Sequence, residues 1–469
     1  MGEGRLETTG QRPETLVSCL GSQVRGPTMA ETIEKYIKAF EALKAGRKDD
    51  PSWLLRLREE AVTSLVQKGF PTTKDDAWRY TDVTAIRETA FDFDETIPAL
   101  SRETVDALKR ESGRNFLLIV NGKFSCEHSS VEEGVEVMDL AEAIASRSDL
   151  VEPHLGRRVI SGNDAFSALN ASLFNQGLLI RILEDRIVKE PIHMVFFAQA
   201  SKGRSVFQVR NLIMLGKKSR AKIVETYKEG NGKNYFTNAV TEIVLEEGSQ
   251  MEHCKIQREN PGAFHIAATQ VTQRRGSSFV SFALSTGARL MRNDCRVALT
   301  AEFASCELNG LYLADKDQVL DHQTFVDHQK PDGKSGQFFK GLLAGNSRGV
   351  FRGHVMVRQD AQRTDAHQTN KNLLLSDTAK ADTQPQLEIL ADDVKCGHGA
   401  AVGQLQEDAL FYLRSRGIGE KEAGCMLAQG FAREVIERSS LTFMKGILLE
   451  IVSEKLEKQF GSRNGELFR

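Results

Sequence analysis

The sequence predicts a mainly β protein, a right-handed parallel β-helix core flanked by N-terminal and C-terminal helical domains. Three observations carry this. Short β-branched or alternating runs, separated by Gly, Asn, Asp and Ser turns, continue from about Ile180 to Val402; similar positions in them recur at a near-constant step; and helix-period patterns lie on either side. The divisions that follow are a leader or misassigned start over 1–28, an N-terminal helical and mixed domain over 29–155, the β-helix over 156–405, and a C-terminal helical domain over 406–469.

Residues 1–28 mix Gly, Thr, Pro and charge without period, and read as a disordered leader or, alternatively, an organellar transit peptide; Met29 is an alternative start. From Met29 the apolar residues Ile33, Tyr36, Ile37, Phe40 and Leu43, then Leu54, Leu55, Leu57, Val62, Leu65 and Val66, recur at helical spacing. After Pro71–Val83 (PTTKDDAWRYTDV) helix-like segments alternate with strand-like runs such as Asn115–Gly122 (NFLLIVNG).

In the β region, serines that follow a turn and precede an apolar alternation fall at Ser219, Ser249, Ser277, Ser305 and Ser335, spaced 30, 28, 28 and 30 residues apart. A constant step signals stacked coils, none of which can bury its own face. The commonest propellers need about 40 to 45 residues per blade and a sandwich keeps no period, so a β-helix fits best. Past Gln406 the helical period returns in two or three amphipathic helices, whose Phe411, Met426, Leu427, Phe431 and Val435 offer apolar surface for docking a partner.

Composition excludes several classes. With 62 basic and 64 acidic residues the formal charge is −2, which gives no global field for nucleic acid or anionic lipid. No run approaches the about 20 apolar residues of a membrane-spanning helix. The seven cysteines are scattered without C-x-x-C pairs, which fits a reducing compartment: the cytoplasm, or an organelle if residues 1–28 are a transit peptide.

The sharpest local feature is DDVKCGHGA, Asp392–Ala400. On a strand, Asp392, Val394, Cys396 and His398 share one face, so thiolate and imidazole point the same way. Both ligate iron, zinc or clusters, but two donors do not fill a tetrahedral site, and the remainder would come from elsewhere, including another chain. The competing reading is a buried Cys and a hydrogen-bonded His at a tight turn. His253 and Cys254, being adjacent, face opposite ways on a strand and read as structural. His322 and His328 could share a face, with Asp327 the only nearby carboxylate, and metal binding there is disfavoured. The phosphate-loop pattern fails at Gly333-Lys334-Ser335 and at Gly232-Lys233-Asn234, because His328 and Tyr227 stand where the first glycine is needed. Common catalytic signatures are absent, which favours a non-catalytic role.

The run from Gln368 to Ala423 closely resembles the C-terminal signature of the SufB/SufD family, scaffold subunits of the SUF iron-sulfur cluster assembly system. GFPTTKDDAWRYTDV, Gly69–Val83, resembles the N-terminal motif of the SufD branch, with Asp76 where Glu is commoner. This resemblance implies a scaffold that pairs with a SufB-like chain through β-helix edges and holds a SufC-like ATPase by its C-terminal helices. The resemblance further implies no stably bound cofactor and allows a transient iron-sulfur cluster at the shared interface. By its place in the C-x-H motif His398 matches the residue implicated in assembly there, with Cys396 the neighbouring candidate. Two rivals are a homodimeric scaffold and a β-helix carbohydrate-active enzyme using paired carboxylates; Asp392 and Asp393, adjacent on a strand, suit the latter poorly.

Overall fold

The structure, a computed structural model, describes residues 29–89, 91–93, 98–156, 164–199, 204–230, 234–439 and 441–461. The leader expected over residues 1–28 and the Gly232-Lys233 pair lie outside the described residues.

Strands rich in Val, Ile, Phe and Thr alternate between two sheets as the chain advances, so the backbone winds into a parallel β-solenoid of about seven turns. One ten-stranded sheet runs from Lys380–Ile389 back through Arg348–Val357, Val319–His328 and Leu290–Leu299 towards the N-terminal side; the other runs from Val394–Gln404 back through Thr364–Leu374 and Lys334–Leu343. Along the strands of the coils alternate side chains point inward. Ile223, Met251, Phe279, Leu308, Phe339 and Phe351 thereby join one apolar core threading the lumen.

The repeat is real but its serine markers slip. Arg220, Gln250, Ser278, Ser305, Lys334, Asp365 and Lys395 occupy one register column, giving steps of 30, 28, 27, 29, 31 and 30 residues. Ser219, Ser249 and Ser277 are equivalent turn residues, each donating its hydroxyl at 2.7 Å to the carbonyl three residues earlier. Ser305 lies one position and Ser335 two positions further into the strand than that turn.

The two ends differ. At the N-terminal end, Asn115–Val120 and Val135–Asp139 extend the sheets, the first folding back antiparallel on Lys123–Phe124 and the second pairing antiparallel with Leu178–Ile182. The N-terminal segment therefore supplies strands to the solenoid as well as helices. Helices Met29–Gly46 and Ser52–Lys68 pack with Ala165–Leu173, a helix buried along its whole length. Asn170 fixes that helix to the sheet by donating to the carbonyls of Val209 (2.9 Å) and Asn238 (3.0 Å). Helices Glu420–Arg438 and Lys445–Phe460 cover the outer face of the other sheet, Val435, Ile436 and Leu448 packing in one cluster with Phe282, Leu311 and Phe338. At the C-terminal end, Lys380–Ile389 and Val394–Gln404 each have a neighbour on one side only among the described residues.

Candidate functional site at the open end

The final strand pairs in parallel with Thr364–Leu374, placing Cys396 beside Ala366 and His398 beside Gln368. Ala366 is buried in the lumen, so Cys396 also faces inward and, with Val394, packs on the last layer of the apolar core. His398 follows on the same face but is exposed. Its neighbour Gln368 is buried; Nε2 donates to Gln337 Oε1 at 3.3 Å, and Oε1 has no hydrogen-bond partner among the described residues. Partial burial pushes the Cys396 thiol up from its ordinary value, a hydrogen bond with the Ala366 backbone opposes this, and the Asp365 carboxylate adds to it. The thiol is therefore held protonated until a metal or base takes its proton.

Asp392 does not share this face. Strand pairing begins at Val394, opposite Thr364, and Asp392 and Asp393 occupy the preceding bend, held by the Asp393 N–H donating to Gln362 Oε1 at 3.0 Å. Asp392 and Asp393, exposed in a bend, are not a paired acid and base in a groove.

Ile389, Leu390 and Val402 are 39%, 54% and 46% exposed around these two strand edges. The edges are not equivalent. Pro385 blunts the first by withholding an N–H, while the second carries no proline and no Lys, Arg, Asp or Glu after Lys395. Its outer face is nearly bare, since Gly397, Gly399, Ala401 and Gly403 point away from the lumen.

The C-terminal helices divide the docking candidates. Phe411 and its neighbour Tyr412 are 74% and 57% exposed on Glu407–Ser415, a helix with no buried residue. Met426 and Leu427 are half-buried. Phe431 is half-buried against Lys340, and Val435 is fully buried under the helix, so Val435 fastens the domain to the sheet and offers no outer surface.

The remaining candidates are structural. His253 points into the lumen, with Nδ1 3.0 Å from Ser281 Oγ and Nε2 3.2 Å from Glu225 Oε1; Cys254 points outward beneath the C-terminal helices. Burial alone would raise the Glu225 carboxyl, but His253 and the charge of Lys255 bring it down to about 2. His322 and His328 do share the lumen face, where His322 stacks on Tyr312 and His328 Nε2 meets Ser335 Oγ at 2.8 Å; Asp327 faces outward to Arg358. Lys334 and Ser335 begin a strand, not the helix a phosphate loop requires. The motif around Trp78, which no chemical pattern marked as a site, grips the outer face of the first sheet. Arg292 lies 3.8 Å over the Trp78 ring and donates to the Ala77 carbonyl at 2.7 Å.

Among the described residues no group of three or more His, Cys, Asp or Glu is placed to hold a metal ion, and no helix is long and apolar enough to cross a membrane. The family profile described as SUF system FeS cluster assembly, SufBD core domain, matches residues 196–431, and that of the SufBD protein N-terminal region matches residues 30–194. The chain is 30% identical over 440 residues to an iron-sulfur cluster assembly SufBD family protein of Synechocystis, covering 90% of this chain and 95% of that one. It is 28% identical over 436 residues to the iron-sulfur cluster assembly protein SufD of Escherichia coli, covering 92% and 98%. With the chloroplastic protein ABCI7 of Arabidopsis thaliana it shares 30% identity over 397 residues, 82% of each chain. Two SufBD profiles that together span residues 30–431, and relatives that align along nearly their full lengths, make this chain a member of the SufBD family of iron-sulfur cluster assembly proteins, SufD-like by homology.

Proposed function

We propose that the chain is a non-catalytic scaffold that pairs through its open solenoid end with a SufB-like chain and carries a SufC-like ATPase on its C-terminal helices. The observation that carries this reading is the unguarded edge of Val394–Gln404, which brings Cys396 and His398 to the rim of the lumen. An uncovered strand of this length invites pairing with another chain, and its bare outer face admits a close neighbour. The nascent cluster is the cargo. Cys396 and His398 supply two donors, a soft thiolate and an imidazole, and the partner supplies the rest. ATP-driven movement of the ATPase, transmitted through the C-terminal helices, would open or tighten this shared edge.

The test is recovery of the tagged full chain from its native host without oxygen. A SufB-like chain and a SufC-like ATPase should co-elute in fixed ratio, and the pure chain should not turn over ATP. The same free edge would also accept a second copy, so a chain that sediments as a dimer and captures neither protein would overturn the heteromeric reading in favour of a self-paired scaffold.

A further inference from the structure

The motif Gly69–Val83 lies far in sequence from the open end, yet its side chains reach it. Trp78 is buried against Phe166, with ring centroids 5.3 Å apart, and is covered by Arg292 of the strand Leu290–Leu299. Arg292 Nη1 donates at 2.8 Å to Asp321 Oδ2 on the next strand, and the Thr81 hydroxyl donates to the same oxygen at 2.6 Å. One strand further on, Arg352 Nη2 lies 2.6 Å from Asp76 Oδ2, and the Arg348 guanidinium sits 5.3 Å from the centre of the Tyr80 ring. Arg348 Nε in turn donates at 2.6 Å to Asp382 Oδ2, and Gln384 Nε2 donates to the Tyr80 hydroxyl at 3.4 Å. Asp76, Trp78, Tyr80 and Thr81 thus span the outer face of four neighbouring strands of the first sheet and end on Lys380–Ile389, the edge strand of the open coil.

We propose that Asp76–Thr81 is a clamp that holds the terminal coil ordered for its partner, and that Tyr80 is its positioning residue. The edge strand needs one. Among the described residues it has a neighbour on one side only, and none of its own residues is fully buried, so its backbone belongs to the low-stability end of the fold. A strand that must present its coil to another chain gains affinity when its order is established beforehand. The work is divided within the motif. Trp78 and Thr81 are buried and anchor the segment to Arg292 and Asp321 in the body of the solenoid, whereas Tyr80 is half-exposed and meets Arg348 and Gln384, on the last two strands of the sheet. Its removal should therefore loosen the terminal coil while the body stays folded. This inference rests on the reading that the open end faces a partner, but its first test needs none.

In the isolated full chain, Tyr80→Ala should raise amide hydrogen exchange in residues 380–389 by about tenfold or more, with exchange in residues 205–299 and the melting temperature nearly unchanged. Tyr80→Phe keeps the ring under Arg348 but loses the hydroxyl that accepts from Gln384, and should exchange between the wild type and Tyr80→Ala. In the second arm, Tyr80→Ala should speed release of the SufB-like chain more than Tyr80→Phe does. Wild-type exchange in Tyr80→Ala at residues 380–389 would overturn the clamp. Loosened exchange in a chain whose wild type captures no partner would leave the clamp standing and overturn the partner reading instead.

Discussion

The ammonium of Lys340, on an inner strand of the second sheet, lies 3.9 Å from the ring centre of Phe431 and donates to the Phe431 carbonyl at 2.8 Å. Glu434, one turn further along the same helix, completes the contact as an ion pair and reaches Lys371 on the adjacent strand at 3.3 Å. A lysine so buried is tolerated because each feature of its surroundings favours a cation. Lys340→Met keeps the stem and removes the charge, and should cost about 1–3 kcal/mol. Urea unfolding would show the loss, with helix Glu420–Arg438 becoming the first site of proteolysis. An unchanged unfolding midpoint and cleavage pattern would remove Lys340 from the account.

The lumen histidines set an acid limit. Burial pushes His322 down to about 3 and His328 down to about 4, from an ordinary value of 6.5. Both are neutral in the folded chain, and below pH 6.5 only the unfolded chain takes up their protons. Their effect is absent above that pH, and stability falls as the pH drops from 6.5 towards 4, by up to about 1.4 kcal/mol per pH unit for each histidine. Glu225, held at about 2 in the fold, extends the loss below about 4.5. Urea unfolding at pH 7 and pH 5 should show the fall, and His322→Leu should flatten it by about one proton. An unchanged slope in that variant would mean His322 is not titrating in the unfolded chain alone.

The solenoid was legible because alternation within strands and a step near 29 residues are both consequences of stacked coils, and each survives in one sequence. Serine was an inexact ruler, because a turn hydroxyl is useful at any of several adjacent positions and Ser305 and Ser335 follow longer turns. Alternation also put Cys396 and His398 on one face correctly, but could not show where the strand begins, which misplaced Asp392. Among the helices, a period of 3.6 finds the apolar residues without telling inner from outer surface, so Val435 and Phe411 looked alike. Pro385 is a mark of an edge strand that the sequence carries. The grip of Trp78, Thr81 and Tyr80 on Arg292, Asp321 and Gln384 joins residues up to 304 positions apart, and no local pattern carries that information.

Phe411 and Tyr412 should bind the ATPase without holding the fold. Replacing both by Ala should leave the melting temperature within about 2 °C and weaken ATPase binding at least about tenfold, as loss of a central aromatic anchor does. Val435→Ala should do the reverse, costing about 2 kcal/mol of stability with little direct effect on binding. Deleting the helices outright is a poorer test, since it uncovers Phe282, Leu311 and Phe338 on the sheet. Full ATPase binding by the Phe411→Ala, Tyr412→Ala chain would move the docking surface elsewhere on the helices.

His398→Ala and Cys396→Ser separate a cluster site from a structural turn. His398 is exposed, so its loss leaves no buried group newly unsatisfied and should change stability by less than about 0.5 kcal/mol. One imidazole also contributes little to an interface built from a whole strand edge, so partner binding should persist. What should fall is iron and sulfide in complexes isolated without oxygen, because a ligand or proton-transfer group is gone. Cys396→Ser should have a milder effect on stability than a large core truncation, since Ser keeps the volume, and a clear effect on cluster content, since it loses the soft donor. Raising the pH should help the wild type more than Cys396→Ser, because burial holds the thiol up and a higher pH frees the thiolate. Normal iron and sulfide in the His398→Ala complex would sink the cluster reading, whereas a variant that unfolds or fails to pair would make His398 part of the structural edge.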